Sequence, residues 1–499
     1  MNLIGLVFTL MVSASLLILP RHMAAIPLLI GAAYMTRGQV LEVGSAHFPV
    51  MRILVMVGIL RVMLKGERIK EGINRVDLFL ILWAFWLIGS SAFHTSDAWM
   101  FRIGMVLTEL GSYFLFRIFI QDTEEVEYIF KVLCLLLIPV AIIMLLEKLT
   151  VRNYFDVLGG VDDKPAFRNG HIRAQGPFNH PILAGTVGAG CLPMALYFWR
   201  SHRKLALMGL FGAGGMVFSA TSSGPIMMVF FSLFGLMLWK VRKYLSAIRW
   251  IVLFAVIVLD RLMKDPVYYL MARIDISGGS TGWHRAELIR SSIKHLNEWW
   301  LIGTDYTRHW MATGIPANQI HTDITNHLLT MGVMGGLPLM ILMIMALIAA
   351  FGTVGRTLRE NEGASMEHGF LIWTLGAILF GHVINFFSIV LYDQSVVFFY
   401  LILASIGAVQ VAKQFAVVEA KQSIGRFTQS RYVTIRGEYS KKMDLAAKIP
   451  LHLEYRPASK YLTNELLAKV SESIDQQLVR SPLSLDGAVP AKFRVKYRM

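Results

Sequence analysis

The chain has 499 residues, of which 55% are hydrophobic and only 16% charged, with a mean hydropathy of +0.55 and a formal net charge of +15. Apolar runs of about twenty residues recur along most of it, the length that crosses a hydrocarbon core of about 30 Å, so a soluble globular protein is excluded. Backbone groups in lipid must be satisfied internally, and a barrel would show alternating segments of about ten residues; the expected fold class is therefore all-α, a polytopic membrane bundle of about 12–14 transmembrane helices with a large external loop.

In chain order, the candidate spans are 2–19, 23–36, 48–64, 77–93, 101–119, 128–146, 178–198, 205–221, 223–239, 248–263, 324–350, 369–391 and 395–414. The first lacks a basic stretch before it and reads as an uncleaved helix rather than a signal peptide. Three short basic loops, Lys65 to Arg75, Arg200 to Lys204 and Lys240 to Arg249, fall on one side if the spans alternate. The positive-inside rule makes that side cytoplasmic. The acidic segment Gln121 to Glu127 falls there too, but acidic residues carry little weight in the rule. Two longer polar segments, 147–179 and 264–322, are then external. The division expected is a bundle over 1–415, including these loops, and a basic cytoplasmic tail over 416–499, where 15 Lys/Arg against 8 Asp/Glu leave +7. Anionic lipid headgroups suit that charge. Nucleic acid is not an expected partner, because no binding motif accompanies the charge. Cys134 and Cys191 both lie in apolar runs and read as free, buried thiols.

Several polar residues interrupt the spans: Arg52, Arg61, Arg102, Glu109, His382 and Asn385. Such groups are costly in hydrocarbon and should face the bundle interior or snorkel. Arg52, near the outer end of its span, suits a lipid diphosphate, and Glu109 with His382 suggests a proton relay. Asp393-Gln394 form a tight outer turn whose side chains either contact substrate or cap helices.

Three clusters carry candidate chemistry. The first is Arg173-Ala-Gln-Gly-Pro-Phe-Asn-His-Pro181, closing the first external loop. Arg173 would present a planar fork to a phosphate or carboxylate; the alternative is an arginine that anchors a helix end at the headgroups. The second is Ser280-Thr-Gly-Trp-His-Arg285, followed by Leu301-Ile-Gly-Thr304. Trp283 is suited to stack on a sugar ring. Arg290, about one and a half turns beyond Arg285, is its rival, and either arginine has Glu287 or Glu298 as a surface ion-pair partner.

The third cluster is His321 with Asp323, Asn326 and His327, leading into Gly332 and Gly335. A neutral histidine takes a proton from an attacking hydroxyl; a hydrogen-bonded structural histidine is the alternative. The helix expected here runs from Ile324 to Phe351 and would be about 42 Å long, more than the core thickness. Thr322 or Asp323 is its expected N-cap, the glycines would admit a close neighbour, and Pro338 is the expected kink.

The order of these elements resembles the O-antigen ligase and O-antigen polymerase superfamily of polytopic membrane glycosyltransferases. The resemblance covers roughly Arg173 to Gln394, by motif order more than by residue identity. The chain departs from the pattern at Thr322, where asparagine is common, and at Thr330, where an acidic residue is common. It departs again in Ala220-Thr-Ser-Ser-Gly-Pro225, which lacks the usual arginine. What the resemblance implies is transfer of a glycan from undecaprenyl diphosphate to an acceptor on the periplasmic face of a bacterial inner membrane, without metal or other cofactor. Arg173 and Arg285 would neutralise the leaving diphosphate and His321 would activate the acceptor hydroxyl, with Trp283, Arg290, Arg52, Asp323 and Asp393 as substrate contacts. Polymerisation of exopolysaccharide or O-antigen units is the leading expectation. Ligation to lipid A core and transfer to protein serine are its alternatives, and other polysaccharide-assembly proteins are implied partners. A transporter or flippase for the same lipid-linked glycans is the rival class. No nucleotide-binding Gly-rich loop or metal-ligand spacing stands out in the sequence.

Overall fold

The computed structural model of the chain describes residues 1–44, 46–70, 72–273, 282–361 and 366–409. The tail expected over 416–499 lies outside them. Apart from Met366, the described residues belong to one compact unit, Met1–Glu362 with Glu367–Glu438.

Fifteen α-helices occur among the described residues: α1 (Leu3–Ile18), α2 (Ala25–Tyr34), α3 (Val50–Lys65), α4 (Arg75–Ser90), α5 (Ser96–Phe119), α6 (Thr123–Thr150), α7 (Pro181–Tyr197), α8 (Arg203–Ala220), α9 (Ser223–Met237), α10 (Leu245–Leu262), α11 (Gly282–Lys294), α12 (Leu296–Trp299), α13 (His327–Glu360), α14 (Met366–Asn385) and α15 (Ser395–Val409). The all-α class is as expected, and each candidate span overlaps a helix, α1 to α10 and α13 to α15, with 410–414 of the last span outside the described residues. Among the described residues, four helices are long and apolar enough to cross a membrane: α4 with its extension to Phe93, α6, α13 and α14. Large apolar side chains such as Phe85, Leu149, Phe218, Phe254 and Leu262 point outward, the surface that a bilayer covers.

Local chemistry sets the helix ends. Asn74 and Asp77 form a reciprocal capping box at the start of α4, and the Asp122 side chain accepts from the Glu125 amide at α6. Several polar groups inside the bundle are paired, which offsets the cost of burying them. Arg117 bridges Asp77 at 3.2 Å, Arg61 bridges Glu67 at 2.7 Å, and Asn385 donates to the Thr186 hydroxyl at 2.9 Å. Arg102 reaches the Ser90 and Ser91 hydroxyls at 3.3 and 3.4 Å. Both cysteines are buried and free.

The segment after α10 folds as a cap on α13. It comprises a 3-10 turn at Val267–Arg273, α11, α12 and a second turn at Arg308–Met311. Leu288, Trp299, Trp310 and Met311 form its small core against Leu329 and Val333 of α13.

Helix α13 begins later than expected. Its N-cap is Asn326, whose side chain accepts from the Leu329 amide, rather than Thr322 or Asp323. Thr322 and Asp323 are instead committed to a turn: both bond the Ile315 carbonyl. The helix is also interrupted at Gly335 (φ −153°) and Gly336 (φ 76°), not by a proline kink. Gly336 lies in a conformation open essentially to glycine alone, and an added Cβ would sit 2.2 Å from the Leu301 carbonyl oxygen. The cap satisfies the exposed backbone: Thr304 N–H donates to the Val333 carbonyl (2.9 Å) and Leu337 N–H to the Trp300 carbonyl (2.7 Å). The Trp86 indole donates to the Gly335 carbonyl at 2.6 Å. Pro338 then falls in the first turn of the lower half, where its missing N–H costs little.

Candidate functional site

The first external segment supplies two arginines from one hairpin. The short strands β1 (Val40–Val43) and β2 (Ala46–Pro49) pair between α2 and α3, and β3 (Ala166–Arg168) and β4 (His171–Arg173) pair antiparallel here, with Ala166 opposite Arg173 and Arg168 opposite His171. The connecting residues Asn169 (φ 49°) and Gly170 (φ 77°) form the two-residue left-handed turn that matches strand twist. The register puts Arg168 and Arg173 on one face as diagonal neighbours. The chain after β4 is held firmly. The Glu147 carboxylate accepts from the Gln175 and Gly176 amides at 3.0 and 2.8 Å, and Ala174 N–H donates to the Ser219 carbonyl at 3.0 Å. Arg173 is buried and donates to the Ser222 hydroxyl at 2.7 Å, while its Nε has no partner.

Arg285 of α11 joins this pair, its Nε also buried without a partner. Burial pulls Arg173 down to about 10, with Arg168 and Arg285 adding repulsion. Burial likewise pulls Arg285 down to about 10, with Arg168 opposing its charge and Asp323 favouring it. Three guanidinium groups therefore converge on a place where carboxylate compensation is weak: burial raises the Asp323 carboxyl, against the pull of His284 and Arg285. His180 caps α7 by accepting from the Ile182 amide at 3.1 Å, with Pro181 in the first turn. Burial, then Arg173 and Arg168, hold its imidazole down at about 4, so it is neutral at physiological pH. A helix N-terminus beside convergent arginines is an anion-binding arrangement.

The turn between α14 and α15 links this cluster to a cavity of about 320 Å³ lined by α3, α5, α13 and the chain just after α2. Tyr392 lies within electrostatic reach of Asn179 and Asp323, and with Asp393 it lines the cavity. Asp393 holds a left-handed backbone (φ 63°), and burial raises its carboxyl to about 6 against the pull of Arg37. Gln394 is structural: its amide donates to the Met35 and Pro177 carbonyls at 3.0 and 2.8 Å. The cavity carries Arg37 and Arg52 together with apolar Met51, Met105, Met331 and Met334, and Glu109. Arg52 donates to the His47 carbonyl, its guanidinium lies over Gly104, and its Nε is unpartnered. The combination suits a ligand with an anionic head and an apolar tail.

Of the residues singled out in the sequence, Arg173, Arg285 and Asp323 come together, and Asp393 and Arg52 line the adjoining cavity. His321 stands at the margin. Its Nδ1 is 3.4 Å from the Thr307 hydroxyl, and burial lowers its pKa while Asp305 opposes the fall. Asp323 is two positions along the chain from it, with only Thr322 between, at most about 7 Å. Trp283 is 57% exposed at the start of α11, open to a ligand from outside. Arg290 is exposed and turned away, 3.4 Å from the Tyr269 hydroxyl, which donates to Glu287. Glu109 and His382 belong to different neighbourhoods: Glu109 accepts from the Tyr400 hydroxyl at 2.9 Å, and His382 packs against Phe386 and Phe399.

Sequence reasoning missed Arg168, His180 and Arg37. The Asn-Gly turn between Arg168 and His171 was the available signal for the first, and the His-Pro step before an apolar run for the second. It also missed a group in the cap, His295, Glu298 and His309, whose ligand-type atoms lie within 4.8 Å of one another. No protein-family model matches the chain, and no curated protein matches it.

Proposed function

We propose that the chain is a membrane glycosyltransferase that moves a glycan from undecaprenyl diphosphate to an acceptor hydroxyl outside the cytoplasmic membrane, polymerising exopolysaccharide or O-antigen units. The observation that carries the reading is the convergence of Arg168, Arg173 and Arg285 beside the α7 N-terminus, with two buried guanidinium nitrogens left unpaired. Like charges gathered without matching carboxylates are unfavourable in the free protein, and a diphosphate relieves that cost. The cavity with Arg52 and its methionines suits the first part of a polyprenyl tail.

In this mechanism the acceptor oxygen attacks the anomeric carbon as the bond to the diphosphate oxygen breaks. Charge grows on the diphosphate, and the arginines stabilise it more in the transition state than before. His321, neutral and tied to Thr307, receives the hydroxyl proton. Arg173, Arg285 and His321 are thus assigned to catalysis, and Asp323, Asp393, Trp283 and Arg52 to substrate contact.

The flippase reading draws on the break in α13, since transporters place ion sites at broken helices. The backbone groups at this break are engaged by Trp86, Trp300 and Thr304 of the protein itself, which leaves less to coordinate an ion. The deciding experiment is transfer by purified variants in detergent, where no membrane separates two sides. Arg173→Ala, Arg285→Ala and His321→Ala should each lose transfer, with arginine-to-lysine changes rescuing poorly because the two-pronged geometry is gone. Full activity of the Arg285 and His321 variants would sink the assignment.

A further inference from the structure

We propose that His295, Glu298 and His309 form a binding site for a zinc-class divalent cation on the cap, distinct from the arginine cluster. His295 lies at the joint between α11 and α12, Glu298 within α12, and His309 in the Arg308–Met311 turn. The Nδ1 of His295 is 2.7 Å from Glu298 Oε1, and the Nε2 of His309 is 2.8 Å from Glu298 Oε2. Two imidazole nitrogens and a carboxylate are a recognised zinc donor set with room for water as the fourth ligand. A tetrahedral ion with bonds of about 2.0 Å sets its donors about 3.4 Å apart, so the N···O pairs now at 2.7 and 2.8 Å would open slightly and the widest separation, within 4.8 Å, would close.

The surroundings orient all three groups. The His309 ring stacks on Tyr306, with centroids 5.0 Å apart and planes 10° apart, and the His295 ring lies parallel to Trp310 at 6.0 Å and 14°. The Trp310 indole donates to Glu298 Oε2 at 2.9 Å, the kind of outer partner that fixes a ligating carboxylate. Each ring here donates an N–H to the carboxylate. On metal binding those nitrogens turn lone pairs to the ion, and the proton resides on the opposite ring nitrogen.

The ion would join the α11–α12 joint to the turn that follows Thr307. Thr307 in turn touches His321 and accepts from the Thr322 amide at 3.1 Å. The site therefore braces the loop carrying His321 without contacting it, and it stands whether or not the glycosyltransferase reading holds.

The test is equilibrium binding of Zn²⁺ to the purified full-length chain after chelator treatment, followed by Co²⁺ substitution. One Zn²⁺ per chain is expected, with Co²⁺ giving the visible absorption of a four-coordinate N/O site. His295→Ala, His309→Ala and Glu298→Gln should each weaken binding by more than the roughly 10–100-fold that loss of an outer partner costs. His47→Ala, at an exposed histidine elsewhere, should leave it unchanged. Absence of stoichiometric binding by the parent chain overturns the proposal whatever the variants do. So does binding that survives the ligand changes or falls with His47→Ala.

Discussion

Arg173→Gln separates a binding-site arginine from a structural one, because the two roles predict opposite effects on stability. Glutamine retains a donor for the Ser222 hydroxyl but removes the charge that faces Arg168 and Arg285. A guanidinium pulled down to about 10 is disfavoured in its charged form by roughly 3 kcal/mol. Loss of the charged bond to Ser222 gives back about 2 kcal/mol, so the net effect in the free protein is stabilising by about 1 kcal/mol. The thermal midpoint of the purified variant should stay level or rise by a few degrees. Transfer from lipid diphosphate should fall a few hundredfold, since a transition-state contact of this type is worth about 3–4 kcal/mol. The loss should fall on turnover more than on KM. A variant that melts several degrees lower while transferring within threefold of the parent would refute the reasoning, because Arg173 would then be a packing residue.

Burial lowers His321 from its ordinary value, so it stays neutral to lower pH; the acid limb of kcat/KM should lie below about 6.5 and be missing from the residual activity of His321→Ala. Asp393 has a raised pKa, so its folded-state advantage is full below about 3.9 and is lost as pH rises through about 6. Asp393→Asn should therefore raise the thermal midpoint more at pH 7 than at pH 4, and equal shifts at both would reject the buried carboxylate as the cause. Gly336→Ala should destabilise by about 3 kcal/mol or more through backbone strain and collision with Leu301, read as faster proteolysis between α12 and α13. Asp162→Cys should react with an impermeant thiol reagent in cells with a permeabilised outer membrane, and Ser440→Cys should not, in a background lacking Cys134 and Cys191. The reverse pattern would put the arginine cluster on the cytoplasmic side.

How far the sequence reaches depends on the range of each interaction. Span positions were legible because they depend on the length of an apolar run, a local property, and each run overlaps a helix among the described residues. Arg173 and Arg285 were legible from their place in an order of motifs. Their meeting was not, because it joins a hairpin to a helix more than a hundred residues later. Arg168 became part of the site only through the register that sets Arg168 opposite His171. The start of α13 moved to Asn326 because the turn around Ile315 claimed Thr322 and Asp323, a competition for backbone partners that local propensity does not contain. The same holds for the break at Gly335 and Gly336. The glycines were visible, but only the cap docking on them decided that the helix would open there, since it supplies the bonds that the interrupted backbone gives up. His295 and Glu298 are three residues apart and share a face of the chain by local geometry. His309 reaches them only because Trp299, Trp310 and Leu288 pack into one small core, and burial of apolar surface is indifferent to separation along the chain.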